Sequence, residues 1–125
     1  MRFVMEEKLK ALIVDDELDV CYLLSSILKH KNLQTSYVNS ITEAKKVLRE
    51  DKPSIIFLDN HLPDGFGVNF IKEIKTLHPE VKIVMITAYD TSEDREKAFL
   101  QGADHFIGKP FTAESIFTAL KNLLN

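Results

Sequence analysis

Short runs that are apolar at nearly every position alternate along this chain with longer segments whose apolar residues recur every three or four positions, a pattern that few folds accommodate. Residues 11–14, 55–58 and 83–86 form three such runs, and 33–38 and 105–108 are weaker versions. A strand with one face in water alternates apolar and polar residues, so a run without alternation predicts a strand covered on both faces. Val20, Leu23, Leu24, Ile27 and Leu28 fall on one stripe of a helix, as do Ile41, Ala44, Val47 and Leu48. Phe70, Ile71, Ile74 and Leu77 make a third stripe, which His78-Pro79 ends. Ile116, Phe117, Leu120, Leu123 and Leu124 make the last. Ser40 with Glu43 matches a capping box, and Thr112 is placed to cap the final helix. Residues 91–101 are helical by propensity but have only Ala98, Phe99 and Leu100 for apolar grip, so this fourth helix is expected to be the loosest.

The resulting order is (βα)₅. Such alternation predicts a doubly wound parallel sheet with helices on both faces and right-handed crossovers. A chain of 125 residues fits one domain over 1–125, with a core from about 10 to 124. At 45% apolar and 28% charged residues it can bury a core without a metal or disulfide staple. The only cysteine, Cys21, cannot form an internal bridge and reads as a buried small residue, consistent with a reducing, cytoplasmic compartment.

A net charge of −3 and the lack of a basic run give no basis for direct nucleic-acid binding. No stretch approaches the roughly 18 apolar residues of a membrane span. Residues 1–10 carry Glu6, Glu7 and Lys8 where a signal peptide would be apolar.

In open parallel sheets, ligands bind outside the carboxyl ends of the strands. The first strand ends in Asp15-Asp16-Glu17, the third in Asp59, the fourth in Thr87-Ala88 and the fifth in Lys109-Pro110. Singly these residues pass as helix caps and turn formers. Together they gather on one rim, where two unit charges at ~4 Å repel by about 4 kcal/mol at an effective dielectric of ~20. Such a cluster takes up protons or holds a cation, and oxygen donors select a hard one such as Mg²⁺. Aspartate is also a nucleophile toward phosphorus. Lys109, the Thr87 hydroxyl and the backbone N–H of Ala88 are suited to phosphoryl oxygens.

Asp15-Asp16, Asp59, Thr87-Ala88 and Lys109-Pro110-Phe111 on five βα units resemble the receiver domain of two-component response regulators, over nearly the whole chain. The resemblance implies the flavodoxin-like strand order 2-1-3-4-5. It implies that a sensor histidine kinase or histidine phosphotransfer protein donates a phosphoryl group to Asp59. Asp16, Asp59 and the backbone carbonyl of His61 would ligate Mg²⁺, with Asp15 acting through water. Thr87, Ala88 and Lys109 would contact the phosphoryl group, and the Lys109–Pro110 bond is expected to be cis. Gly102-Ala103-Asp104 fits the family pattern ahead of the last strand. Thr87 and Phe106 would form a switch, Phe106 turning inward as Thr87 moves. The face built from the fourth helix, fifth strand and fifth helix would engage a second copy or an effector domain. A receiver modifies itself and turns over no separate substrate.

Phe66 stands where the family has an acid or small polar residue, which questions the cap of the third helix. His61 and Tyr89, each two residues past a reactive position, are expected to slow hydrolysis of the phosphorylated Asp59. His30, His78 and His105 lack the spacing of zinc ligands and read as surface or loop residues. A phosphatase of the haloacid dehalogenase type needs Asp-x-Asp after the first strand, where this chain has Asp15-Asp16. A degenerate receiver, acting as a phosphorylation-independent binding module, usually lacks an acid or the lysine, and here all are present.

Overall fold

The computed structural model describes residues 8–124; Glu6, Glu7 and the rest of residues 1–7, with Asn125, lie outside the described residues. Strands β1 (Lys10–Val14), β2 (Gln34–Val38), β3 (Ile55–Leu58), β6 (Lys82–Thr87) and β7 (His105–Gly108) pair in parallel in the order β2-β1-β3-β6-β7. Counted over this sheet alone the order is 2-1-3-4-5, the doubly wound arrangement expected. Helices α1 (Leu18–His30), α2 (Ile41–Glu50), α3 (Gly67–Leu77) and α4 (Ser92–Gln101) cross between strands, and α5 (Ala113–Leu124) follows the last of them. A two-residue hairpin, β4 (His61–Leu62) with β5 (Gly65–Phe66), follows β3 and has no periodic signature.

The sheet separates two apolar layers. Leu12, Val14, Ile56, Leu58, Ile83, Met85 and Phe106 face α2, α3 and α4. Ala11, Ile13, Ile55, Phe57, Val84, Ile86 and Ile107 face α1 and α5. The three central strands are thus covered on both sides, which is why they do not alternate. Edge strand β2 is half solvated, and its run is correspondingly weaker.

The helix stripes need small corrections. In α1 the buried residues are Cys21, Leu24, Ile27 and Leu28, while Leu23 points outward. Cys21 takes the inward place because its small side chain sits directly under β1, its thiol donating to the Asp15 carbonyl at 3.4 Å. In α4 only Ala98 is buried, and Phe99 and Leu100 are exposed. His105 lies half-buried on β7 rather than in a loop, and His78 Nε2 meets the Leu48 carbonyl at 2.8 Å. Ser40 Oγ accepts from Glu43 N at 3.1 Å, but the Glu43 carboxylate reaches back to Asn39 N at 2.8 Å, one residue before the expected partner. Thr112 Oγ1 accepts from Ser115 N at 3.0 Å, capping α5.

Candidate functional site

The parallel register brings the ends of β1, β3, β6 and β7 to one rim. Asp15 and Asp59 extend the sheet pairing by one residue each, Asp15 N donating to Val38 O and Asp59 N to Val14 O. Their side chains are therefore fixed by sheet backbone rather than by loops. Asp15 is 0% and Asp59 4% exposed. Asp16 and Glu17 follow in the open, and one oxygen from each of Asp15, Asp16, Glu17 and Asp59 lies within 4.8 Å of the others.

Lys109 N donates to Thr87 O at 2.8 Å, tying the end of β7 to that of β6. The Lys109–Pro110 bond is cis. The Lys109 ammonium lies 2.9 Å from Asp15 Oδ2, 2.9 Å from Glu17 Oε1 and 3.6 Å from Asp59 Oδ2. One positive charge thus faces three carboxylates, in a cluster that Asp16 brings to four. Asp15 Oδ1 accepts from Glu17 N at 2.9 Å, whereas Asp15 Oδ2, though close to the ammonium, has no aligned donor. Asp59 Oδ1 accepts from Asn60 N at 2.9 Å.

Burial raises the Asp15 pKa, outweighing the Glu17 N–H and Lys109. Burial, then the Asp15 charge, lifts Asp59 to about 6 despite Lys109. Burial opposes the charge on Lys109, but the adjacent Asp15 and Glu17 carboxylates and the Asp59 charge outweigh it and raise its pKa. The buried acceptor without an aligned donor, the excess of carboxylates and their all-oxygen chemistry fit a hard divalent cation.

Thr87 is buried, its Oγ1 accepting from Tyr89 N at 3.3 Å, which leaves the hydroxyl proton available to donate. Ala88 follows at an exposed bend. His61, at the base of the hairpin, stacks its ring 4.0 Å from Tyr89 and 5.4 Å edge-on from Phe66. Phe106 is 7% exposed and already lies inward, with the Arg95 guanidinium 5.2 Å above its ring. His61, Met85, Thr87, Tyr89 and Phe106 line a common cavity of about 210 Å³.

Two contributors went unread in the sequence. Phe66 does not cap α3; Asn60 does so from across the loop, its Oδ1 accepting from Val68 N at 3.0 Å and its carbonyl from Gly67 N at 2.8 Å. Gly67 is required because a Cβ there would stand 2.1 Å from the Asp59 carbonyl oxygen. Asp64 accepts from Ile41 N, Thr42 N and Thr42 Oγ1 at 2.9, 2.8 and 2.6 Å. These bonds hold its carboxyl down at a pKa of about 2. Neither partnership has a local spacing, so no periodicity argument could find it.

The model of the response regulator receiver domain matches residues 11–121. Over 116 residues the chain is 35% identical to the response regulator protein PilR of Pseudomonas aeruginosa, covering 90% of this chain but 26% of that protein. The chain therefore spans about a quarter of the length of that relative. A Burkholderia pseudomallei response regulator, solved with a phosphorylated aspartic acid, a calcium ion and citrate, superposes with a TM-score of 0.85 at 27% identity, covering 90% of this chain and 66% of that one. The beryllofluoride-activated NtrC4 receiver domain dimer superposes at 0.87 with 34% identity, covering 91% and 94%. Among the described residues no helix is long and apolar enough to cross a membrane. With strands in the order 2-1-3-4-5, acids at the ends of β1 and β3 and a lysine at the end of β7, the chain belongs to the response regulator receiver domains of two-component systems.

Proposed function

We propose that Asp59 accepts a phosphoryl group from the phosphohistidine of a sensor histidine kinase or histidine phosphotransfer protein, in a Mg²⁺-dependent reaction. The observation that carries this reading is the buried Asp59 carboxylate among Asp15, Asp16 and Glu17 with Lys109 Nζ 3.6 Å away. A pKa of about 6 leaves Asp59 mostly ionised at neutral pH and so nucleophilic. One carboxylate oxygen bonds to phosphorus as the N–P bond breaks, and the imidazole nitrogen leaves with the electron pair and takes up a proton. Asp16, Asp59 and the His61 carbonyl would hold Mg²⁺, and Asp15 would act through water. Bound there, the metal supplies positive charge for the phosphoryl oxygens. Lys109, the Thr87 hydroxyl and the Ala88 N–H stabilise the same oxygens from the protein side.

The product stays on the chain, so this is a self-modifying switch with no separate substrate. Its readout is a protein surface: α4 exposes Phe99 and Leu100, and β7 carries Phe106 beneath. A second copy or an effector domain would dock on α4, β7 and α5, and the beryllofluoride-activated NtrC4 receiver domain is itself a dimer. The working compartment is the cytoplasm, where the kinase domain of a sensor meets its receiver.

Intact mass after incubation with Mg²⁺ and a small acyl phosphate tests the proposal. A gain of one phosphoryl group (~80 Da) that requires Mg²⁺ and is lost in Asp59→Asn is the expected result. No adduct, together with no Mg²⁺ binding, refutes it and favours a binding module.

A further inference from the structure

The amino end of α2 touches both loops that carry the acidic cluster, although it contributes no residue to it. A helix begins with backbone N–H groups that its own carbonyls cannot reach. In α2 those of Ile41, Thr42 and Glu43 are all satisfied by side chains, and only Ser40 Oγ is local. The other two end on Asp64, from the turn of the β4–β5 hairpin behind Asp59, and the Thr42 hydroxyl adds a third bond to the same carboxylate. Gly65, the next residue, packs so closely that a Cβ on it would lie 3.1 Å from Ile41 Cδ1. On the other side, Asn39 Nδ2 donates to the Asp15 carbonyl at 2.8 Å, while Asn39 N is held by Glu43 Oε2 at 2.8 Å.

We infer that the first turn of α2 is a brace fixing the Asp15–Glu17 loop against the Asp59–Gly67 loop, with Asp64 and Asn39 as positioning residues that set the cation affinity of the cluster. The inference rests on the metal-dependent reading of the site. The anionic Asp64 suits a helix amino end, yet an ordinary cap comes from the helix's own flank. Asp64 comes from 22 residues further along and from the hairpin that also carries His61, whose carbonyl the metal-dependent reading assigns to the cation. Loosening it lets the two halves of the ligand set separate, which weakens metal binding without altering any ligand. Partners one shell out from a metal commonly change affinity by about tenfold or more.

The test is calorimetric Mg²⁺ titration of wild type, Asp64→Ala, Asp64→Asn, Asn39→Ala and Thr42→Val, with urea unfolding in EDTA to establish that each is folded. Asp64→Ala is expected to weaken Mg²⁺ binding by about tenfold. Asp64→Asn, which keeps one acceptor for a backbone N–H, falls between it and wild type. Asn39→Ala acts in the same direction, and Thr42→Val loses part of its effect when Asp64 is already Ala. With an acyl phosphate donor, the half-saturating Mg²⁺ rises in Asp64→Ala while the rate at saturating Mg²⁺ stays that of wild type. Wild-type Mg²⁺ affinity in a folded Asp64→Ala protein overturns the brace and leaves Asp64 a helix cap. If wild type binds Mg²⁺ but gains no phosphoryl group, the proposed function fails while the brace is still judged by the titrations. A wild type that binds no Mg²⁺ overturns both.

Discussion

Replacing Asp59 by Asn removes a charge that the metal-free fold holds at a loss. Burial and the neighbouring Asp15 carboxylate lift Asp59 from 3.8 to about 6. Between these values the folded state binds more protons than the unfolded chain, so stability falls as pH rises from about 4 to about 6 and stays reduced above. At about 1.4 kcal/mol per pKa unit the difference is about 3 kcal/mol at pH 8. Lys109 loses a neighbour at 3.6 Å but keeps Asp15 and Glu17 at 2.9 Å. That attraction is already contained in the net rise, which it opposes. Asn also retains an oxygen for the Asn60 N–H. Urea unfolding at pH 8 in EDTA is expected to show Asp59→Asn more stable by about 3 kcal/mol, roughly 10 °C in Tm, with the gap closing near pH 4. An Asp59→Asn protein no more stable than wild type at pH 8, or a gap that persists in acid, refutes the reasoning.

Gly67→Ala drives a methyl group into the Asp59 carbonyl; we expect a loss of about 2 kcal/mol and phosphorylation slowed at least tenfold, read by unfolding and by intact mass. His61→Ala with Tyr89→Ala removes two rings whose centroids lie 4.0 Å apart, each two residues past a reactive position. The doubly substituted protein should lose its phosphoryl group faster, and an unchanged rate shows that the rings do not shield it. Phosphorylation should shift the Phe106 ring resonances through the cavity shared with Thr87; resonances that stay put exclude that coupling.

The central strands were legible because burial on both faces leaves the same mark at every position: residues 55–58 match β3, 11–14 fall within β1, and 83–86 extends by one residue at each end into β6, while the weaker run 105–108 matches the partly covered edge strand β7. The rim acids and Lys109 were legible too, since parallel pairing sends all carboxyl ends one way. Side-chain bonds between distant segments were not. Asp64 caps a helix 22 residues earlier, and Asn60 caps α3 from eight residues before Val68. Lys75 joins α3 to β7's approach through Asp104 at 2.7 Å, where Gly102-Ala103-Asp104 showed only a pattern. Rotation of α1 about its axis, which buries Cys21 instead of Leu23, turns on how closely a helix approaches the sheet.

The five-stranded sheet also works as a partition. Leu62, Val68, Met85 and Phe106 pack in the layer shared with α2, α3 and α4. Cys21, Leu24, Ile116 and Leu120 lie in the opposite layer with α1 and α5. Phosphorylation at the rim is expected to repack the first of these layers and to leave the second as ballast. Amide exchange should change along α3 and α4 and hold steady in the middle of α1, and core substitutions on opposite sides should add in their effects on stability.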